Sequence, residues 1–266
     1  MSARASQENV VVVTGASSGI GRQLAYQLAD QGAWLALAAR SREQLGEVAL
    51  ECRRRGGRAL ALPTDVAEQP QCRDLIERTV AEYGRIDTLI NNAGSALHGR
   101  FSDLTDLALF EKVVRIDFFG GVYCTHYALS HLMQSRGRVI AVCSLKGKFP
   151  SANAEAYVAS KHAMTGFFES LRMELAGSGV SVTVIFPAWV STGMTSRVLR
   201  PDGRPLGEIS ALEKGAMPVQ TCARLIVDAA ASRKREVVMT LKGRAGLWLR
   251  LVAPETTDRI LRKETE

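Results

Sequence analysis

Two kinds of segment alternate along this chain, and that alternation constrains its fold more than any other feature. Short apolar runs rich in β-branched residues and alanine recur at 10–14, 33–39, 58–62, 86–90, 137–143, 180–186 and 236–240. Longer stretches with helical periodicity lie between them, at 23–31, 42–55, 71–83, 110–135 and 155–176. A strand that is apolar along its whole length is buried on both faces, as in a parallel sheet covered by crossover helices. The pattern therefore predicts one doubly wound, parallel, seven-stranded α/β sheet with helices on both faces. Neither a repeat nor a low-complexity linker divides the 266 residues, so a single domain over 1–266 is expected. The least regular stretch, 191–217, carries Pro201 and Pro205 and reads as a flexible lid. Residues 242–266 read as a C-terminal extension.

Composition narrows the class. Apolar residues make up 46% and charged residues 23%, as in soluble globular proteins. The longest apolar run, 33–39, is far short of the roughly 20 residues that span a bilayer. The polar residues 1–9 run straight into the first strand, leaving no room for a signal peptide. Cys52, Cys72, Cys124, Cys143 and Cys222 are dispersed without a C-x-x-C pair. They read as free thiols in a reducing, cytoplasmic setting, with no metal site. The 34 basic and 27 acidic residues leave a net charge of +7. That excess admits nucleic acid, an anionic membrane surface or anionic small molecules, and equally plain solubility.

The first chemical motif is Thr14-Gly15-Ala16-Ser17-Ser18-Gly19-Ile20-Gly21, between the first strand and its helix. Glycines there let the backbone approach a pyrophosphate, whose charge meets the helix N-terminus. This is the dinucleotide loop of a Rossmann-type sheet, spaced G-x-x-x-G-x-G. An acid at the end of the second strand would select NAD. Here Ala38-Ala39 end that strand and Arg40-Ser41-Arg42 follow. Guanidinium forks match phosphate oxygens, so the reading is NADP(H). The alternative is that Arg40 merely caps a solvated loop.

Further motifs fall in a fixed order: Asp65-Val66 after the third strand, Asn91-Asn92-Ala93-Gly94 after the fourth, Ser144 after the fifth, Tyr157-Val158-Ala159-Ser160-Lys161 opening a long helix, and Pro187 after the sixth. The set resembles the short-chain dehydrogenase/reductase family from about Val10 to Val190, nearest the branch with 11β-hydroxysteroid dehydrogenase-like and membrane-associated dehydrogenase/reductases. That resemblance implies Tyr157 as general acid/base and Ser144 orienting a substrate carbonyl. It implies that Lys161 lowers the tyrosine pKa and holds the nicotinamide ribose. It implies cofactor contacts from Gly15, Ser17, Ser18, Gly19, Ile20, Gly21, Asp65, Val66, Asn91, Ala93, Gly94, Tyr157, Lys161, Pro187, Val190 and Thr192. The implied activity interconverts a small-molecule carbonyl and an alcohol. The implied assembly is a homodimer or homotetramer through the two long helices.

Two departures stand out. The family's Asn-x-x-Gly is here Asp117-Phe118-Phe119-Gly120, so the fourth catalytic position holds Asp117. A role of its backbone carbonyl survives the exchange. The side chain loses a donor and brings a charge that would favour the ammonium of Lys161. The family's Pro-Gly is Pro187-Ala188, followed by Trp189, which either roofs the cleft or joins the core. Phe149, Trp189, Met194 and Leu199 around the expected cleft indicate an apolar substrate: a lipid, a steroid or an aromatic carbonyl. His98 follows the Asn-Asn-Ala-Gly turn, near the expected substrate entrance. Of the net charge, +4 lies in 233–266, where Trp248 and leucines stand among arginines. That tail suits an interfacial membrane helix, a cover for the sheet or a subunit contact. Nucleic acid is the least favoured partner. The rival reading is a cofactor-binding redox sensor or scaffold with little catalysis, favoured only by Asp117.

Overall fold

The computed structural model describes residues 8–193, 198–207 and 215–263. Its chain order is β1 (Val10–Thr14), α1 (Gly19–Ala29), β2 (Trp34–Ala39), α2 (Arg42–Arg54), β3 (Arg58–Pro63), α3 (Gln69–Tyr83), β4 (Thr88–Asn91), α4 (Leu107–Val114), α5 (Gly120–Ser135), β5 (Arg138–Val142), α6 (Glu155–Glu174) and β6 (Ser181–Phe186). After these come the two-residue strands β7 (Val190–Ser191) and β8 (Met217–Pro218), then α7 (Val219–Ala231), β9 (Glu236–Val238), α8 (Leu241–Val252) and α9 (Pro254–Lys263).

Seven strands pair in parallel in the order β3-β2-β1-β4-β5-β6-β9. Successive side chains of a strand face opposite sides, so each strand feeds two cores. Val12, Ala36, Leu89, Val139 and Val184 pack on one side with Leu75 of α3, Leu132 of α5 and Phe168 of α6. Val11, Val13, Leu35, Ile140 and Ile185 pack on the other with Leu24 of α1, Val48 of α2 and Ile226 of α7. Phe168, Phe186, Leu24 and Leu35 are fully buried, each contributing roughly 1.5–3 kcal/mol. The strand order reverses at β1, which lies between β2 and β4. A crevice opens at such a point beyond the carboxyl ends of the strands.

The expected doubly wound sheet is present, with small differences at element ends. Helix α1 begins at Gly19, inside the glycine loop, and not at residue 23. The helix expected over 110–135 is two helices, α4 and α5, separated by a π-helical turn at Arg115–Phe119. Just past this turn Gly120 packs closely on the approach to α3, where a Cβ would come within 2.8 Å of Val66 Cγ2. Such turns insert one residue into a helix and re-aim its side chains, frequently at functional sites. Helices α7 and α9 have no counterpart in the periodicity.

The stretch read as a lid is tied at its ends, where β7 pairs with β8. Within it Leu199 bridges to Leu97 and Pro205. Residues 194–197 and 208–214, with Met194 among them, lie outside the described residues. The tail is helical. Thr240 caps α8 through the amide of Gly243, and Arg250 donates to the carbonyl of Lys148. Gly243 and Gly246 lie against Leu145 and Phe149, so α8 covers that segment. Leu241, Trp248, Leu251 and Val252 remain exposed. Among the described residues no helix is long and apolar enough to cross a membrane.

Candidate active site

The sheet's carboxyl edge brings most of the expected site residues together. Thr14 ends β1 level with Ala38 of β2, and Val13 is level with Ile90 of β4. Thr14 Oγ1 accepts the amides of Asn92 and Ala93, both at 3.0 Å, and donates to the Ile90 carbonyl at 3.3 Å. Asn92 Nδ2 donates to the Thr14 carbonyl at 2.9 Å. The Asn-Asn-Ala-Gly turn is thereby stitched to the glycine loop. Thr14 and Asn92 stand inside the two motifs, yet spacing alone gives neither of them this role.

The glycine loop has the shape of a phosphate cradle. Gly15 has φ +66°, and a Cβ on it would come within 2.9 Å of Ala93 Cα. A Cβ on Gly21 would lie 2.2 Å from the Gly15 carbonyl oxygen. Gly19, φ +53°, faces Thr192, which joins two expected cofactor positions. Ser18 supplies no side-chain cap to α1, whereas Ser41 caps α2 and Asp106 caps α4. Nor does an acid stand in the first turn of α1. A glycine-walled turn leading into this N-terminus fits a pyrophosphate. Ser17 and Ile20 are half-buried in the same turn.

Arg40 and Arg42 stand exposed past β2, and neither has an ion pair among the described residues. Asp65 accepts the Ala67 amide at 3.1 Å, and Val66 packs into the core. Asn91 is turned inward, donating to Thr125 Oγ1 at 2.9 Å on α5. Its amide nitrogen therefore braces the core, while its Oδ1 is buried with no hydrogen-bond partner among the described residues. Pro187 accepts the Leu145 amide at 3.0 Å, which joins the β6 end to the Ser144 loop. Val190 lies in β7.

Ser144, Tyr157, Lys161 and Asp117 converge. Tyr157 and Lys161 lie one turn apart on α6, and the Lys161 ammonium sits 5.4 Å from the Tyr157 ring centre. Ser144 caps a 3₁₀ turn over Leu145–Gly147, accepting the Lys146 amide at 3.2 Å. Cys143 Sγ and Thr165 Oγ1 both donate to the Lys161 carbonyl, which fixes that turn on α6. The π turn aims Asp117 into the same place. Its Oδ2 is 3.0 Å from Lys161 Nζ, and its Oδ1 accepts the Ser95 amide at 2.6 Å. Both members of the pair are buried, and Gly94, exposed, lies beside them.

The electrostatics follow from that burial. Burial pushes the Asp117 carboxyl above its usual range, against the pull of Lys161 and the Ser95 amide. Burial opposes the charge of Lys161, but Asp117 and Tyr157 outweigh it and hold the ammonium well above the usual lysine value. Tyr157 is raised, first by burial and then by Asp117, although Lys161 and a hydrogen bond with Ser144 act the other way. The expectation that the ammonium would lower the phenol is thus met only in the sign of its own contribution.

Residues 9–202, which contain the glycine-walled turn, the Asn-Asn-Ala-Gly turn and Ser144, Tyr157 and Lys161, match the family model described as short chain dehydrogenase. The chain belongs to the short-chain dehydrogenase/reductase family. It is 36% identical over 247 residues to 11-beta-hydroxysteroid dehydrogenase-like 4A of Arabidopsis thaliana, covering 92% of this chain and 81% of that protein. The 11-beta-hydroxysteroid dehydrogenase of Pinus massoniana is 35% identical over 256 residues, covering 94% of this chain and 72% of that one. A short-chain dehydrogenase/reductase from Burkholderia phymatum in complex with NAD has the same fold, at TM-score 0.85 and 24% identity. That alignment covers 94% of this chain and 95% of the other. As a short-chain dehydrogenase/reductase, the chain is an oxidoreductase of a family that uses a nicotinamide cofactor.

Of the expected cleft residues, Phe149 proves misplaced. It is buried beneath α8, with Gly246 and Arg250 against its ring. Leu199 packs beside Leu97, Val113 and Ala156. Trp189 is 50% exposed, which removes its core reading, and Lys146 Nζ lies 5.8 Å from its ring. His98 is half-buried, and burial with Lys146 nearby depresses its pKa.

Proposed function

We propose that this short-chain dehydrogenase/reductase is an NADP(H)-dependent enzyme interconverting an apolar carbonyl and its alcohol. The observation that carries the reading is the convergence of Ser144, Tyr157 and Lys161 on the sheet edge that also carries the glycine loop. Gly15, Gly19 and Gly21 would hold the pyrophosphate, and Arg40 with Arg42 the adenosine 2′-phosphate. Reduced nicotinamide, when bound, supplies hydride to a carbonyl carbon. Ser144 orients the carbonyl oxygen by hydrogen bonding, and Tyr157 donates its phenolic proton to that oxygen as the C=O π bond opens. Lys161 stabilises the phenolate that is left, and solvent restores its proton. In oxidation Tyr157 must first lose that proton. The exposed Trp189 and the steroid dehydrogenase names of the relatives favour an apolar substrate. NADPH consumption over a panel of lipid, steroid and aromatic carbonyls tests the reading. Tyr157→Phe should lose about 10²–10⁴ in rate. Cofactor binding with no turnover on any carbonyl or alcohol would leave a sensor or scaffold instead.

A second observation favours a peripheral role for the tail. Leu241, Trp248, Leu251 and Val252 are exposed on α8, and the neighbouring Lys242, Arg244, Arg259 and Arg262 are basic. An anionic lipid surface would take both features. Cosedimentation with anionic vesicles, lost in Trp248→Ser/Leu251→Ser, is the expected result. Self-association through the two long helices α5 and α6 is proposed on family grounds and is checked by light scattering.

A further inference from the structure

The buried pair Asp117–Lys161 does something that an amide at position 117 could not. Its parts are an oxygen and a nitrogen 3.0 Å apart, both buried, with the nitrogen 5.4 Å from the centre of the Tyr157 ring. Asp117 is fixed at both ends. The π turn sets its backbone, and the Ser95 amide holds the oxygen that Lys161 does not touch. Lys161 is fixed as well, by the α6 backbone and by Cys143 and Thr165 on its carbonyl. The ammonium therefore faces a full counter-charge and a phenol at once. An isolated ammonium stabilises a phenolate strongly; one already paired with a carboxylate acts on the phenol as half of a dipole.

We propose that Asp117 is a positioning residue that commits the charge of Lys161 to itself, keeps Tyr157 protonated and so tunes the site to carbonyl reduction. The inference rests on the reading of Tyr157 as acid/base. Asp117 leaves the equilibrium between carbonyl and alcohol untouched. It sets the pH at which each direction runs, because reduction needs the phenol and oxidation the phenolate. The groups that act on the Tyr157 phenol are Lys161 from α6, whose ammonium is 5.4 Å from the ring centre, Asp117 from the π turn, and Cys143 and Ser144 from the end of β5. Burial pushes the Cys143 thiol up, so it stays neutral, and Ser144 is neutral throughout. Asp117 is therefore the only negative charge among these four neighbours.

The test is Asp117→Asn, nearly isosteric, with Asp117→Ser as a second variant should the first fold poorly. Two readouts are needed. In the first, tyrosinate absorbance is titrated on the cofactor-free protein, with Tyr157→Phe subtracted to isolate the one phenol. The pKa of Tyr157 should fall in either variant by about 1 unit, the scale for losing a nearby like charge. In the second, the pH profiles of alcohol oxidation and carbonyl reduction are compared. The oxidation limb should move to lower pH by the same amount, and reduction should lose rate first at the alkaline end. A Tyr157 titration that stays put or rises in folded variants overturns the proposal. If the wild-type protein turns over no carbonyl, the reaction reading fails, and the tyrosinate titration still decides the role of Asp117.

Discussion

Gly21 faces the carbonyl of Gly15 so closely that a Cβ on Gly21 would lie 2.2 Å from the oxygen. The first turn of α1 and the end of the glycine loop thus share one volume, with Asn92 Nδ2 also 2.6 Å from that point. Gly21→Ala must push the loop off the helix, and the pyrophosphate cradle with it. Overpacking of this kind costs about 1–3 kcal/mol. Dinucleotide affinity, read by fluorescence titration, should fall roughly tenfold or more. Gly46→Ala is the control. Gly46 lies on α2, and a Cβ there would meet no described atom within 4 Å. That change should leave binding intact and raise stability by about 0.5–1 kcal/mol.

The NADP(H) reading turns on Arg40 and Arg42, exposed at the end of a strand that carries no acid. A guanidinium on a phosphate makes charge-assisted bonds worth about 1.5–3 kcal/mol. Arg40→Ala should weaken NADPH by about 10- to 100-fold and leave NADH within about twofold. Kd for both cofactors, measured side by side on wild type and variant, checks this. Equal affinity of the wild type for the two would remove the phosphate assignment.

Thr14 closes the floor of the same crevice. Its hydroxyl accepts two amides, those of Asn92 and Ala93, and is buried. Thr14→Val keeps the shape and strands both donors. A buried unpaired group costs about 1–3 kcal/mol; because Asn92 and Ala93 are half-buried, urea unfolding should show a loss of about 1–3 kcal/mol in all.

These three cases also mark how far the sequence could be read. The alternation of apolar runs located the sheet because a doubly covered strand has no polar face to confuse the pattern. Ser144, Tyr157 and Lys161 could be singled out only through the resemblance to the family, and the structure places them close together. The π turn at Arg115–Phe119 was not legible, because one inserted residue leaves helical periodicity nearly unchanged on either side. Asn91 reads from its motif as a cofactor contact, and only the hydrogen bond to Thr125 of α5 shows that its amide nitrogen is turned inward. Phe149 was expected around the cleft. Its cover, α8, comes from about a hundred residues further on, where two glycines permit the approach. Whether the charge at 117 reaches Lys161 was likewise a matter of long-range geometry.

That contact has a cost to the fold, which gives a further prediction. Removing one partner of a buried pair leaves the other charge uncompensated, at about 3–5 kcal/mol. Lys161→Met should therefore destabilise the protein by up to that amount near pH 7, where the folded variant must either bury the Asp117 carboxylate alone or take up a proton to neutralise it. Burial already lifts the Asp117 carboxyl, and loss of the ammonium removes the chief force holding it down. Its folded pKa then stands above the unfolded value, and protonation favours the folded state. The sign follows: the stability of Lys161→Met relative to wild type should recover as pH falls and worsen as pH rises through that folded pKa. Adding Asp117→Asn should restore most of the loss and flatten the pH dependence, since no buried charge remains. Urea unfolding of the two single variants and the double variant across acid and neutral pH measures both effects. A double variant as unstable as Lys161→Met at neutral pH would mean that the loss came from packing and not from the stranded carboxylate.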